Sequence, residues 1–334
     1  MEISYIFLIL FIFNLFIFKF NNLVAKKFSL YDKPDYKRKI HKEKVPLTGG
    51  IFLFLNFIFI LILLKINYFD FLNIFISNKR ELFALFFLVT FLFLLGLYDD
   101  RYDISASTKL SLLTFIVFIG ILIDENIIIN QLIFNFYPNE INLSKLSIPL
   151  TILFILLFIN ALNMFDGIDM QVSGYFLILI IFLLIKFNIT FLIYFIPVIL
   201  FNCALNFKKK LFLGDSGTNI ISILIAWVII KNYNVNNSFT CEEIFIIMAI
   251  PGLDMFRLFC SRVLNGKNPF IADKNHLHHY FLSRFDYLPS FFLIQLMIIL
   301  PLAYYFIKST DILTPFIMTI FIYLTSFIIL KNKK

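Results

Sequence analysis

The sequence predicts an all-α polytopic membrane protein of about 11 transmembrane helices, with its amino terminus outside, its carboxyl terminus cytoplasmic and its active site on cytoplasmic loops. Three observations predict it. First, 60% of the 334 residues are hydrophobic and 47 are phenylalanine, and a mean hydropathy of +0.90 excludes an ordinary soluble domain. Second, apolar runs close to the roughly 20 residues that carry a helix across a bilayer recur along the whole chain. These runs are continuous rather than alternating, which excludes a membrane barrel, and at such lengths only helices satisfy the backbone in hydrocarbon. Third, the basic residues gather on one side of the runs.

Taken in order, the predicted spans cover residues 3–25, 49–64, 82–97, 110–123, 146–162, 172–187, 189–205, 217–231, 243–260, 290–307 and 314–330. The first lacks a basic leader and a small-residue cleavage site, so it is expected to be a retained span. Several are short for a full crossing and require local thinning of the bilayer. A break is expected around Lys186 to Asn188, and fusing the flanking runs would reverse the sidedness of everything downstream. With the amino terminus outside, 20 of the 29 Lys and Arg residues fall in cytoplasmic segments and 7 in outer ones, while Lys19 and Arg257 lie within spans. This is the positive-inside asymmetry. It accounts for the net charge of +8 without a nucleic-acid partner. Cys203, Cys241 and Cys260 have no paired spacing and read as small apolar fillers. No soluble domain, repeat or low-complexity linker interrupts the chain, so residues 1–334 read as a single integral membrane domain.

The polar motifs all fall on the cytoplasmic side: DKPDYKRKIHKEKVPLTGG (32–50), LYDDRYD (97–103), NMFDGIDM (163–170), LFLGDSGTN (211–219) and NGKNPFIADKNHLHHYF (265–281). One cytoplasmic active face has this layout, whereas a transporter more often carries ionisable groups in mid-span. Asp99 and Asp100 follow an apolar run, so they sit at a helix carboxyl end, where the dipole disfavours carboxylates. A pair held there faces a cation or activates a nucleophile, and a solvated turn is the plainer reading. Asp166 and Asp169, three apart around Gly167, would share one face if helical; a helix cap is the alternative. Asp215 directly precedes a span, as an N-cap does, yet Gly214 and Gly217 beside it also suit a phosphate or its metal. Lys208, Lys209 and Lys210 are explained by topology, with phosphate contact as the second reading. Three carboxylate clusters suit a hard divalent cation, magnesium with substrate phosphates rather than zinc. His276, His278 and His279 are three of the four histidines. No HExxH pattern occurs and Cys260 is remote, so hydrogen bonding to sugar or phosphate oxygens is favoured over zinc, with Arg262, Lys267 and Lys274 as cationic neighbours.

Five segments in this order, DYKRKIHKEKVPLTGG, LGLYDDR, NALNMFDGID, FLGDSGT and SRVLNGKNPFIADKNHLHH, resemble the polyprenyl-phosphate N-acetylhexosamine-1-phosphate transferases of the glycosyltransferase family 4 type. NPFIADKNHLHH resembles the bacterial branch typified by undecaprenyl-phosphate GlcNAc-1-phosphate transferases. The resemblance implies magnesium-dependent transfer of a HexNAc 1-phosphate from a UDP-N-acetylhexosamine to a polyprenyl phosphate, with release of UMP and manganese as a substitute metal. It implies a multi-pass enzyme of the inner (plasma) membrane that starts cell-wall polymer or O-antigen synthesis. A homodimer is compatible with it, and a nucleic-acid partner is not. By the same resemblance, Asp99 and Asp100 match the paired catalytic aspartates, and Asp166 and Asp169 the catalytic element that also includes Asn163, a nucleotide contact. Asp215 matches the magnesium ligand. Arg262, His276, His278 and His279 match the loop that contacts the donor, and Lys37, Arg38 and His41 the early basic motif near the phosphates or the lipid headgroup. Met170 stands where the family usually has glycine, and NFKKKLFLGD lacks the usual proline and is one residue short, which leaves the donor contact of Asn206 open. The alternative class is a transporter or flippase of lipid-linked glycans.

Overall fold

The computed structural model describes residues 3–32, 43–67, 76, 78–187, 189–236, 238–269, 275–308 and 311–331. Lys37, Arg38, His41 and Lys274 lie outside the described residues. Helices dominate: α1 (Ile3–Lys19), α2 (Asn21–Phe28), α3 (Gly49–Asn67), α4 (Lys79–Tyr102), α5 (Ala106–Ile123), α6 (Ser147–Phe165), α7 (Gln171–Phe187), α8 (Phe195–Phe207), α9 (Gly214–Asn236), α10 (Cys241–Leu264), α11 (Leu277–Leu282), α12 (Tyr287–Ile307) and α13 (Leu313–Lys331). Two short antiparallel hairpins join them, β1 (Tyr31–Asp32) with β2 (Val45–Pro46) and β3 (Gln131–Leu132) with β4 (Ile141–Asn142).

Among the described residues, 7 helices are long and apolar enough to cross a membrane: α4, α5, α6, α9, α10, α12 and α13. Three further apolar helices, at Gly49–Lys65, Gln171–Phe187 and Phe191–Phe207, are shorter. Each predicted span therefore falls on helix, with one correction. Residues 3–25 are not a single rod: α1 and α2 are bent by 49° at Phe20. The reason is local. Two asparagines follow Phe20, a residue type whose side chain competes with helical hydrogen bonds, and Asn21 turns its amide onto the Lys210 carbonyl at 3.1 Å while accepting from Thr48. The break expected around Lys186 is present, since α7 ends at Phe187 and a 3-10 turn at Thr190–Tyr194 leads into α8.

The chain divides into two compact units. The first takes residues 1–125 and 176–225. In it α1 packs on α3 and α8, and α4 packs on α3 and α5. Asn14 and Asn56, both fully buried, exchange side-chain hydrogen bonds between α1 and α3 at 2.8 and 3.3 Å, and each amide also bonds a carbonyl one turn back in its own helix. The second unit takes residues 126–175 and 226–334. Its centre is α10, packed on α6, α12 and α13. Pro251 within α10 has no N–H to give to the carbonyl four residues back. The buried Tyr175 hydroxyl donates to that carbonyl, Ile247 O, at 2.9 Å.

Candidate active site

In the first unit, the amino end of α9 is built against the carboxyl end of α4. Glycines permit the approach: a Cβ on Gly96 would lie 2.5 Å from Ser216 Cα, and Gly214, at φ +69°, leaves room for the Asp100 carboxylate. Asp100 then caps α9 from a distance. Its Oδ1 accepts from the Asp215 N–H at 2.7 Å, and its Oδ2 accepts from the Ser216 N–H at 3.1 Å and the Ser216 hydroxyl at 2.7 Å. These donors are the orphan groups of a helix start, where a carboxylate is also favoured by the dipole. The capping expected of Asp215 thus belongs to Asp100, and the Asp215 side chain is turned to other work. Lys109, near the start of α5, puts its ammonium 2.8 Å from Asp99 Oδ2 and in contact with Asp215 Oδ2. Asp99 Oδ1 is held by the Ile104 N–H at 2.9 Å. One cation therefore neutralises two carboxylates drawn from different helices. Hard oxygen donors of this kind fit a divalent cation that brings phosphate ligands with it. Among the described residues no three His, Cys, Asp or Glu side chains are grouped as a metal cage.

In the second unit, the NMFDGIDM segment closes α6 instead of extending it. Asp166 is the C-cap, its N–H bonded to Leu162 O and Asn163 O at 3.1 and 3.3 Å. Asp166 and Asp169 therefore do not share a helical face; they flank a turn, because Gly167 and a left-handed Met170 (φ +66°) reverse the chain before α7. Met170 keeps the backbone conformation that glycine takes easily, at the cost of a β-carbon there. From α12, the Tyr287 hydroxyl donates to Asp169 O at 2.6 Å and Gln295 Nε2 to Gln171 O at 2.9 Å. Among the described residues Asn163 Nδ2 is buried with no hydrogen-bond partner, a donor suited to an acceptor.

The three histidines stand on and before the short α11. The His278 ring lies against Gly167 so closely that a Cβ there would collide with it. Burial pushes the imidazole of His278 down to about 3, and the neighbouring His279 and His276 add to the shift. It is a neutral packing group joining the histidine segment to the Gly167 turn. His276 is also buried, with Nδ1 3.5 Å from Asp254 Oδ2. His279 stands beside both, with ring centroids 4.2 Å from His278 and 6.2 Å from His276. Arg262, on α10 and buried, donates to Pro269 O at 2.7 Å and so fixes the start of the segment leading to the histidines.

The structure thus brings Asp99, Asp100 and Asp215 together in one unit, and Asp166, Asp169, His276, His278 and His279 into the other. Sequence reasoning missed Lys109, counted there only as a cytoplasmic charge, and Ser216. It also passed over Asp254 and Arg257, which carried a signal: charges three residues apart in an apolar span share a helical face and are costly unless used.

Comparison with known proteins adds a family. Residues 82–233 match the model for glycosyl transferase family 4. The matched stretch contains Asp99, Asp100, Lys109, Asn163, Asp166, Asp169 and Asp215. The chain is also 28% identical over 281 residues, 80% of its length and 72% of the relative's, to the undecaprenyl-phosphate alpha-N-acetylglucosaminyl 1-phosphate transferase of Escherichia coli (strain K12). With the protein of that name from Yersinia pestis it shares 29% over 272 residues, 77% of this chain and 70% of the relative.

Proposed function

We propose that this chain transfers a HexNAc 1-phosphate from a UDP-sugar to undecaprenyl phosphate or a similar polyprenyl phosphate, releasing UMP, with its catalytic loops on the cytoplasmic side of the inner membrane. The product would start a lipid-linked glycan such as a cell-wall polymer or O-antigen. The observation that carries this reading is the Asp99–Lys109–Asp215 cluster, which lies inside the stretch that matches the family 4 model. The names of the relatives supply the acceptor lipid and the N-acetylglucosaminyl 1-phosphate group.

In this reaction an oxygen of the lipid phosphate attacks the sugar-bearing phosphorus of the donor, and the bond from that phosphorus to the UMP oxygen breaks. A phosphate monoester has its second pKa near 6, so the attacking oxygen is largely ionised at neutral pH and little base catalysis is needed. The harder task is to hold two anions against each other. Lys109 meets it directly, with a half-buried ammonium available to phosphate oxygens as its carboxylates are engaged. Asp215 and Asp99 would hold magnesium, or manganese in its place, and the bound metal would neutralise charge on the departing UMP. Asn163, with its unpartnered amide, and the Asp166–Asp169 turn would take the nucleotide. Arg262, His276 and His279 would serve the donor phosphates and sugar, with Lys37, Arg38 and His41 near the lipid headgroup. The test is direct: full-length protein with magnesium, undecaprenyl phosphate and a panel of UDP-HexNAc donors is expected to release UMP with at least one. Folded protein that releases none with any donor or lipid overturns the reading.

A further inference from the structure

Two side chains on adjacent turns of α10 grip the backbone on both sides of His276. Arg257 donates to Asn275 O at 2.5 Å, the carbonyl of the peptide that enters His276. Asp254 accepts the N–H of Leu277, the peptide that leaves His276, at 3.2 Å on both carboxylate oxygens. The two grips are tied to each other. Arg257 donates to Asp254 Oδ1 at 2.7 Å, and the Tyr323 hydroxyl, brought by α13, donates to the same oxygen at 3.1 Å while accepting from Arg257 Nε at 2.9 Å. Phe327 covers the guanidinium, its ring centroid 4.3 Å from Cζ. Asp254 is 6% exposed and Tyr323 2% exposed. A charged pair this deep in an apolar helix is retained at a desolvation cost, and the partners from α13 hold it in place. Its remaining hydrogen bonds go to the two peptides flanking His276, whose Nδ1 faces Asp254 Oδ2 at 3.5 Å.

We propose that Asp254, Arg257 and Tyr323 are positioning residues for His276, locking its backbone and turning its Nδ1 edge inward so that Nε2 is the atom presented to the donor substrate. The substrate half of this rests on the transferase reading. Full-length protein labelled with 15N-histidine tests the lock without turnover, the His276 signal being assigned with His276→Gln. In Asp254→Asn the His276 Nδ1 resonance is expected to move while the other three histidines hold. With an active donor, kcat is expected to fall about 10- to 100-fold, the penalty typical of a misplaced group, with KM within about threefold. Tyr323→Phe, which keeps the ring and the packing, is expected to move the same resonance less and serves where Asp254→Asn fails to fold. An unmoved His276 resonance, or an unchanged kcat, in a folded variant overturns the lock. A wild-type protein silent with every donor sinks the transferase reading alone, because the resonance still decides the lock.

Discussion

Asp99 and Asp100 are neighbours in sequence but not in role, since successive side chains on a helix are rotated by about 100°. One faces Lys109 and the other caps α9. Asp99→Asn is accordingly expected to lower kcat by about 100-fold, on the scale of one lost electrostatic contact in a catalytic site, with little change in melting temperature. Asp100→Asn retains only one acceptor oxygen for three donors and is expected to cost about 1–3 kcal/mol of stability, visible as a lower melting temperature before any kinetic effect. Asp215 does not cap α9 and its carboxylate meets Lys109, so Asp215→Asn is expected to abolish turnover in protein that still inserts and folds; near-normal activity would remove it from the metal site. At Met170 the left-handed backbone costs a residue with a β-carbon about 1–2 kcal/mol, partly offset against glycine's greater loss of chain entropy, roughly 0.5–1 kcal/mol. Met170→Gly is expected to melt at or above the parent, and the β-branched Met170→Val below it. A reversed order would show that the turn is not strained.

At the scale of elements, the contact between the histidine segment and the turn after α6 is made by a neutral ring. His278 is held at about 3, far below the ordinary imidazole value, by its burial against Gly167. An unfolded chain takes up a proton near pH 6.5 that the folded chain refuses. Folding stability from this residue is therefore complete above about 6.5 and drains away as pH falls toward 3. Melting temperature is expected to drop more steeply between pH 7 and 5 in the parent than in His278→Gln, and parallel slopes would sink the assignment. Such pairings bear on what the sequence could reveal. Helix positions were legible because hydrocarbon imposes a run length, and α4 through α6 follow it closely. The DGID turn was not, since two aspartates three apart read as a helical face until Gly167 and Met170 are seen to reverse the chain. Lys109 was invisible for a different reason. A lysine beside a span looks the same whether it serves topology or bridges Asp99 and Asp215, residues 10 and 106 positions away. Arg257 and Asp254 were legible in principle, as paired charges inside an apolar run.

For the whole molecule, composition and charge asymmetry spoke clearly for a multi-pass membrane protein, while which helices cross completely depends on lengths that α3, α7 and α8 leave short. The carboxylate oxygens of Asp99 and Asp215 lead to a metal expectation. Removing magnesium is expected to abolish UMP release and restoring it to recover the rate, whereas a zinc-selective chelator leaves the rate intact; loss under the zinc chelator would reverse the choice of metal. The paired amides of Asn14 and Asn56 have a consequence for how the chain is made. Each amide nitrogen already bonds its own helix, so α1 can enter the bilayer alone with one N–H and the carbonyl oxygen of Asn14 left wanting. When α3 arrives, both are met from a single rotational setting of the two helices. The pair therefore acts as a late-closing latch during synthesis, cheap to carry into the membrane and selective about the partner that closes it.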